Sequence, residues 1–207
     1  MTGTESEVPD GAGAFDDTPA SRPERLAALR DAARAAGFEM SCDERTGSLL
    51  ATLAAAQPGG RILELGTGVG EGTAWLLDGM DVKAHLITVE LDHAVQDVAR
   101  RELGADPRVS FVAEDGGVWL ETYDGPPFDL VFADTWPGKF THLDRALDLV
   151  APGGTYLIDD LAPRPDWPES HRAAVDDLLR TVEGLDGFRT TRLDWSSGLL
   201  IAVRSTA

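Results

Sequence analysis

The stretch Arg61-Ile-Leu-Glu-Leu65-Gly-Thr-Gly-Val-Gly70-Glu-Gly72 decides the fold of this chain. Ile62 to Leu65 is an apolar run of strand length, too short for a buried helix. A glycine-rich turn follows at once, and the residues after it suit a helix. Strand, tight turn and helix in that order open a βα unit, because parallel strands need a covering crossover between them. Working outward, the unit repeats. Apolar runs at Leu86 to Glu90, Val109 to Ala113, Phe128 to Ala133 and Thr155 to Ile158 alternate with helical stretches near 71–78, 93–103, 116–123, 141–150 and 169–182. Right-handed crossovers wind such units into a sheet covered on both faces. Two last runs, Phe188 to Leu193 and Gly198 to Val203, are separated only by Asp194-Trp-Ser-Ser197, which suits an antiparallel hairpin. The expected fold is α/β: a doubly wound, Rossmann-like sheet of seven strands, mostly parallel, with an antiparallel C-terminal hairpin.

Residues 1–20 are rich in Gly, Thr, Pro and acids, with no base before Arg22, and read as a disordered tail. Residues 21–57 read as helical. Ser21 and Glu24 stand as a capping box before Leu26, Leu29, Ala33 and Ala36, and Gly37 stops that helix. Ser41 and Glu44 repeat the spacing before Leu49, Leu50 and Leu53, with Pro58-Gly59-Gly60 as the stop. No repeat or linker follows, so 21–207 reads as a single domain, with the core at 61–207.

Composition narrows the partners. The net charge of -18 opposes binding to nucleic acid, which needs Lys and Arg to displace counterions from phosphates. The expected partner is a small molecule. One cysteine, Cys42, forms no disulfide within the chain and fits a reducing cytoplasm. No apolar run is long enough to cross a bilayer, so no membrane role is expected.

The glycine spacing then selects the ligand. A G-x-G-x-x-G pattern counted from Gly66 needs glycine where Glu71 stands, and counted from Gly68 it needs glycine at Thr73. No Gly-Lys-Ser/Thr follows, which removes the phosphate-cradling P-loop as well. Glu64 at the head of the loop would repel a pyrophosphate and attract an ammonium group, such as the amino-acid end of S-adenosylmethionine. Glu90 ends the second strand, where a carboxylate accepts hydrogen bonds from both ribose hydroxyls. Asp115 ends the third, before Gly116-Gly117, in reach of an adenine amino group.

With these residues in place, the chain from about Met40 onward resembles the class I S-adenosylmethionine-dependent methyltransferases, and specifically the catechol and caffeoyl-coenzyme A O-methyltransferase family. Met40-Ser41-Cys42 and Gly47-Ser48-Leu49-Leu50 are similar to that family's segment closing over the cofactor. Leu149-Val-Ala-Pro-Gly-Gly154 is similar to the turn before its fifth strand. The resemblance implies cofactor contacts from Met40, Cys42, Glu64, Gly66, Gly72, Glu90, Asp115, Gly116 and Val118, with Gly68 in the same loop. Asp134 and Trp136, which follow the fourth strand, are expected beside the cofactor too; Trp136 either stacks on a ring or simply packs. Cys42 is expected as a small buried residue more than as a thiol nucleophile.

The fourth strand ends at Asp134 and the fifth at Asp159-Asp160, and neighbouring strands would bring the three acids to one crevice edge. Oxygen ligands of this kind suit a divalent cation, Mg²⁺ or Ca²⁺. In the resembling family the matching positions are Asp, Asp and Asn around a metal that binds adjacent hydroxyls and lowers the pKa of the one to be methylated. Two departures matter: Asp160 replaces the neutral Asn, and Pro137 replaces a lysine that serves as base. Lys139 and His142 are the substitutes within reach, with Asp134 beside them; otherwise Lys139 is a solvated lysine and Asp159-Asp160 cap a turn. The expected activity is methyl transfer to an oxygen of a catechol-like or other hydroxylated acceptor. Metal-independent methylation of another small molecule and non-catalytic cofactor binding are the rivals. Homodimerisation is an expectation the resemblance alone carries.

Overall fold

The computed structural model describes residues 17–206, so most of the expected tail lies outside the described residues. Seven helices and seven strands alternate through the rest: α1 (Leu26–Ala36), α2 (Glu44–Ala55), β1 (Arg61–Leu65), α3 (Glu71–Gly79), β2 (His85–Glu90), α4 (His93–Leu103), β3 (Val109–Ala113), α5 (Gly116–Thr122), β4 (Phe128–Ala133), α6 (Leu143–Asp148), β5 (Val150–Ile158), α7 (Glu169–Glu183), β6 (Phe188–Leu193) and β7 (Leu199–Arg204). They form one sheet of order β3-β2-β1-β4-β5-β7-β6. β1 pairs in parallel with β2 and β4, and β7 runs antiparallel to both β5 and β6. The strand order reverses between β1 and β4, and a crevice outside the carboxyl ends is expected at such a reversal.

Side-chain alternation along the strands builds two cores. Leu63 and Leu65 of β1 face Trp119, Leu120, Ala146, Leu178 and Val182 from α5, α6 and α7. Ile62 faces the other way, with Leu86, Leu130, Phe132 and Leu157, and packs with Leu29, Leu50, Ala54, Trp75 and Leu76 from α1, α2 and α3. Glu64 shares a strand face with Ile62, so its carboxylate is sent among apolar groups next to α3.

Three local expectations change. Ser21 and Glu24 do not cap α1, which starts at Leu26 with Arg25 before it and no side-chain cap. A turn at Pro23, whose carbonyl accepts from Leu26 N–H at 3.1 Å, takes up the residues between. Asp43 rather than Ser41 caps α2, its carboxylate accepting from the backbone of Arg45 and Thr46. The Pro-Gly-Gly turn lies inside β5: Phe128 pairs with Val150 but Leu130 with Thr155, so residues 151–154 bulge and Pro152 needs no ladder partner. Gly37 does end α1, in the left-handed region. Among the described residues, no helix is long and apolar enough to cross a membrane.

Candidate functional site

A cleft of about 760 Å³ runs along the carboxyl ends of the central strands, a size suited to a small-molecule ligand. A second cavity of about 380 Å³ shares Gly66, Glu90, Thr135 and Trp136 with it and extends to Asp115, Gly116 and His142. The glycine turn shapes the floor. Gly66 has φ 102°, and a Cβ there would lie 2.8 Å from the Asp134 carbonyl oxygen, so no side chain fits between β1 and the segment after β4.

Glu64 is 1% exposed. Its Oε2 accepts from the hydroxyls of Thr73 at 2.5 Å and Thr88 at 2.6 Å. Thr88 in turn meets Thr67 at 2.6 Å, and Gln96 donates to Thr67 at 3.0 Å, closing a buried polar chain. Burial pushes the Glu64 carboxyl up to about 7, against the pull of the two threonine hydroxyls. No lysine or arginine among the described residues pairs with it. Ser41 adds a hydroxyl that is buried without a hydrogen-bond partner among the described residues, on the same cleft. A buried carboxylate lacking a cation, with an unpartnered hydroxyl nearby, fits a ligand that brings both an ammonium and a carboxylate.

The ribose and adenine positions follow. Glu90 accepts from Gly68 N–H and Asp92 N–H, both at 3.0 Å, which fixes its carboxylate across the turn. Asp115 caps α5 by accepting from Gly117 and Val118 N–H, and it lines the second cavity. Cys42, Gly68 and Gly72 line the cleft, as does Met40, which is 79% exposed at its rim. Val118 is exposed and lines neither cavity. Burial and the surrounding carboxylates push the Cys42 thiol well up, so it is no thiolate.

Beyond the turn lies the acceptor end. Lys139 is 6% exposed, not a solvated lysine. The loop after β4 folds back on itself: Gly138 N–H donates to Thr141 O at 2.7 Å, and Lys139 and Phe140 N–H both donate to Trp136 O. The buried Tyr156 hydroxyl pins the turn by donating to Gly138 O at 2.5 Å. Lys139 Nζ thereby stands 3.5 Å from Asp134 Oδ1 and 3.2 Å from the Asp159 carbonyl oxygen. Asp159 is 4% exposed, and its Oδ1 accepts from Asp160 N–H at 2.7 Å and from the Ser197 hydroxyl. Asp160 is exposed, in the left-handed region at φ 59°. Burial raises the Asp134 carboxyl well above the carboxylate range, with Asp159 and Asp160 adding to it and Lys139 opposing; burial takes Asp159 to about 6.

These residues do not fit the expected divalent cation. Mg²⁺ takes six oxygens at about 2.0–2.1 Å. Here the Lys139 ammonium already occupies Asp134, and Asp159 Oδ1 is engaged by two protein donors. A second cation would enter against the charge of the first. Among the described residues, no group of three or more His, Cys, Asp or Glu side chains is arranged to hold a metal. The expected triad of Asp134, Asp159 and Asp160 does share the cleft, with Lys139 against the Asp134 carboxylate and the Asp159 backbone carbonyl, and Asp160 exposed at its edge.

Several site residues escaped the sequence reading. Phe140, Trp167 and His171 line the cleft with Trp136 as a wall of rings, Trp167 meeting His171 edge-on at 4.5 Å and Phe140 meeting Trp136 at 5.0 Å. For Trp167 there is a sequence signal: with Pro163, Pro165 and Pro168 it reads as a stiff, partly apolar lid or as a plain surface loop. Ser197 arrives from the hairpin between β6 and β7, far away in the chain. His142 stands 3.2 Å from Glu121 and lines the second cavity, away from Lys139 and the cleft wall.

A doubly wound sheet with acids at the ends of successive strands, around a glycine turn that takes no pyrophosphate, defines a class I methyltransferase. Comparison with known proteins agrees. The methyltransferase-domain family model matches residues 63–161. The catechol O-methyltransferase of Mycobacterium tuberculosis is 31% identical over 158 residues, covering 74% of this chain and 72% of that protein. The cofactor-bound structure of Rv0187 from MTB superposes with a TM-score of 0.79 at 26% identity, over 93% of this chain and 94% of that one. TomG, an O-methyltransferase from Streptomyces achromogenes solved in complex with SAM, shares the fold with a TM-score of 0.78 at 24% identity, over 89% and 91% of the two chains. The chain belongs to the S-adenosylmethionine-dependent O-methyltransferases, within the catechol and caffeoyl-coenzyme A O-methyltransferase-like family.

Proposed function

We propose that this enzyme methylates a hydroxyl of a small aromatic acceptor, with the acceptor ring against Trp136, Phe140, Trp167 and His171. The observation that carries this reading is one cleft that brings Ser41, Glu64 and Glu90 together with Asp134, Lys139 and the ring wall. Ser41 and Glu64 would hold the amino-acid end of S-adenosylmethionine, Glu90 its ribose, and Asp115, Gly116 and Trp136 its adenine. When bound, that cofactor supplies a sulfonium methyl, whose bond to sulfur breaks with its electron pair as the acceptor oxygen takes the methyl.

The chain's own part is orientation and proton handling. The ring wall sets the acceptor plane and excludes water from one side. Asp134, which lines the cleft beside Lys139, takes the hydroxyl proton, with the Lys139 side chain favouring its charged form. Lys139 donates to Asp134 and to the Asp159 carbonyl, which holds its side chain at the acceptor end of the cleft. A catechol-like acceptor is supported by the printed name of the Mycobacterium tuberculosis relative. Incubation with labelled S-adenosylmethionine and a panel of phenols, catechols and aliphatic alcohols tests the reading. Label in an aromatic O-methyl product is expected; cofactor binding with no labelled product from the panel would leave a binding protein instead.

A further inference from the structure

We propose that the Lys139 ammonium is the resident cation of the acceptor site and serves where the resembling family uses a divalent metal, so that a single hydroxyl suffices for methylation. The inference rests on the methyltransferase reading above and deepens it at the acceptor end.

Position comes first. Lys139 is buried on the cleft, and two of its three N–H donors point to fixed acceptors, Asp134 Oδ1 and the Asp159 carbonyl. One donor remains for an acceptor oxygen. The lysine is not there by chance of a long side chain, because the turn that inverts it is closed by four backbone hydrogen bonds and pinned by Tyr156. The carboxylates are also partly spent. Ser197 and the Asp160 N–H saturate Asp159 Oδ1 from within the protein.

Chemistry follows from that arrangement. As the acceptor hydroxyl loses its proton to Asp134, negative charge grows on the oxygen, and a preplaced ammonium in a low-dielectric cleft stabilises it. A divalent ion with open positions binds two neighbouring oxygens and so favours adjacent hydroxyls. One N–H engages one oxygen and carries no such demand. The acceptor class is therefore a monohydroxylated aromatic compound, with catechols accepted but not required.

The test uses the whole chain and two independent readouts. Mg²⁺ is titrated calorimetrically into the protein with S-adenosylhomocysteine bound, which needs no acceptor. No saturable binding at millimolar Mg²⁺ is expected; saturable binding that Asp159→Asn abolishes would overturn the inference. Separately, methylation of paired phenols and catechols is measured in EDTA and in Mg²⁺. Equal rates in the two conditions are expected, with the phenol turned over alongside the catechol, and Lys139→Met should lower kcat roughly 100-fold while Lys139→Arg restores part of it. Turnover lost in EDTA and regained with Mg²⁺ would overturn the inference while leaving the methyltransferase reading intact. If no acceptor in the panel is methylated, that reading fails, and the calorimetry still decides the cation.

Discussion

Glu64 carries the most chemical information per residue. Burial lifts its carboxyl to about 7, and the ligand that fits it is cationic. An ammonium favours the charged carboxylate, so binding below pH 7 must expel a proton. Cofactor affinity is expected to rise with pH up to about 7 and then level off, as calorimetry at several pH values would show, with Glu64→Gln flattening the slope. In the free protein the sign is opposite for stability. A carboxyl raised on folding stabilises fully below its ordinary value and loses that contribution as pH rises through about 7. Removing the carboxylate in Glu64→Ala should weaken cofactor binding by roughly 10- to 100-fold, the range of a charge-assisted hydrogen bond. The position of Glu64 was legible in sequence because its neighbours are: a strand before it, a glycine turn after it. Lys139 was not. Its burial depends on a backward turn whose closing bonds involve Gly138, Thr141 and the distant Tyr156.

At the scale of elements, α1 is strapped to the cofactor end by charge. Arg30 donates to Glu71 at 3.0 Å and Glu44 at 2.6 Å, and Glu71 is nearly buried. Arg30→Ala leaves that carboxylate uncompensated, and a loss of about 3 kcal/mol is expected in chemical denaturation. Phe38, just past α1, lies against Gly68 of the glycine turn, so faster cofactor release should accompany the loss. The α2–α3 contact depends on close approach. A Cβ on Gly47 would enter the Trp75 indole, which is fully buried. Gly47→Ala should therefore lower stability by about 1–3 kcal/mol without touching the cleft, as thermal melting would register.

Element boundaries also show what sequence patterns resolve. β3, β4 and β6 begin and end where the sequence places their runs, because strand-forming residues stand there contiguously between turn signals. α6 is shorter than the expected 141–150, since His142 sits in the left-handed region and Val150 is drawn into the sheet opposite Phe128. The capping boxes misled for a related reason. Asp43 competes with Ser41 for the same helix end and prevails, its carboxylate accepting two backbone N–H groups.

Across the whole molecule, the sheet order puts the ends of β1, β2, β4 and β5 along one crevice, and the place of Glu64 and Glu90 in the cofactor half follows from that. The acceptor half does not. Ser197 comes from the β6–β7 hairpin and Trp167 from the segment before α7, and only tertiary packing brings them to Asp159 and the ring wall. A net charge of -18 acts at this scale too. Self-repulsion opposes compaction and salt screens it, so the melting temperature of the free protein should rise between low ionic strength and about 0.15 M NaCl.

The most direct measurement is product analysis after incubation with methyl-labelled S-adenosylmethionine and a phenolic acceptor. Labelled methyl on the acceptor oxygen, formed one for one with S-adenosylhomocysteine and abolished in Asp134→Asn, is the expected result. Tight cofactor binding with no methyl transferred to any hydroxyl, or label recovered on nitrogen, would contradict it.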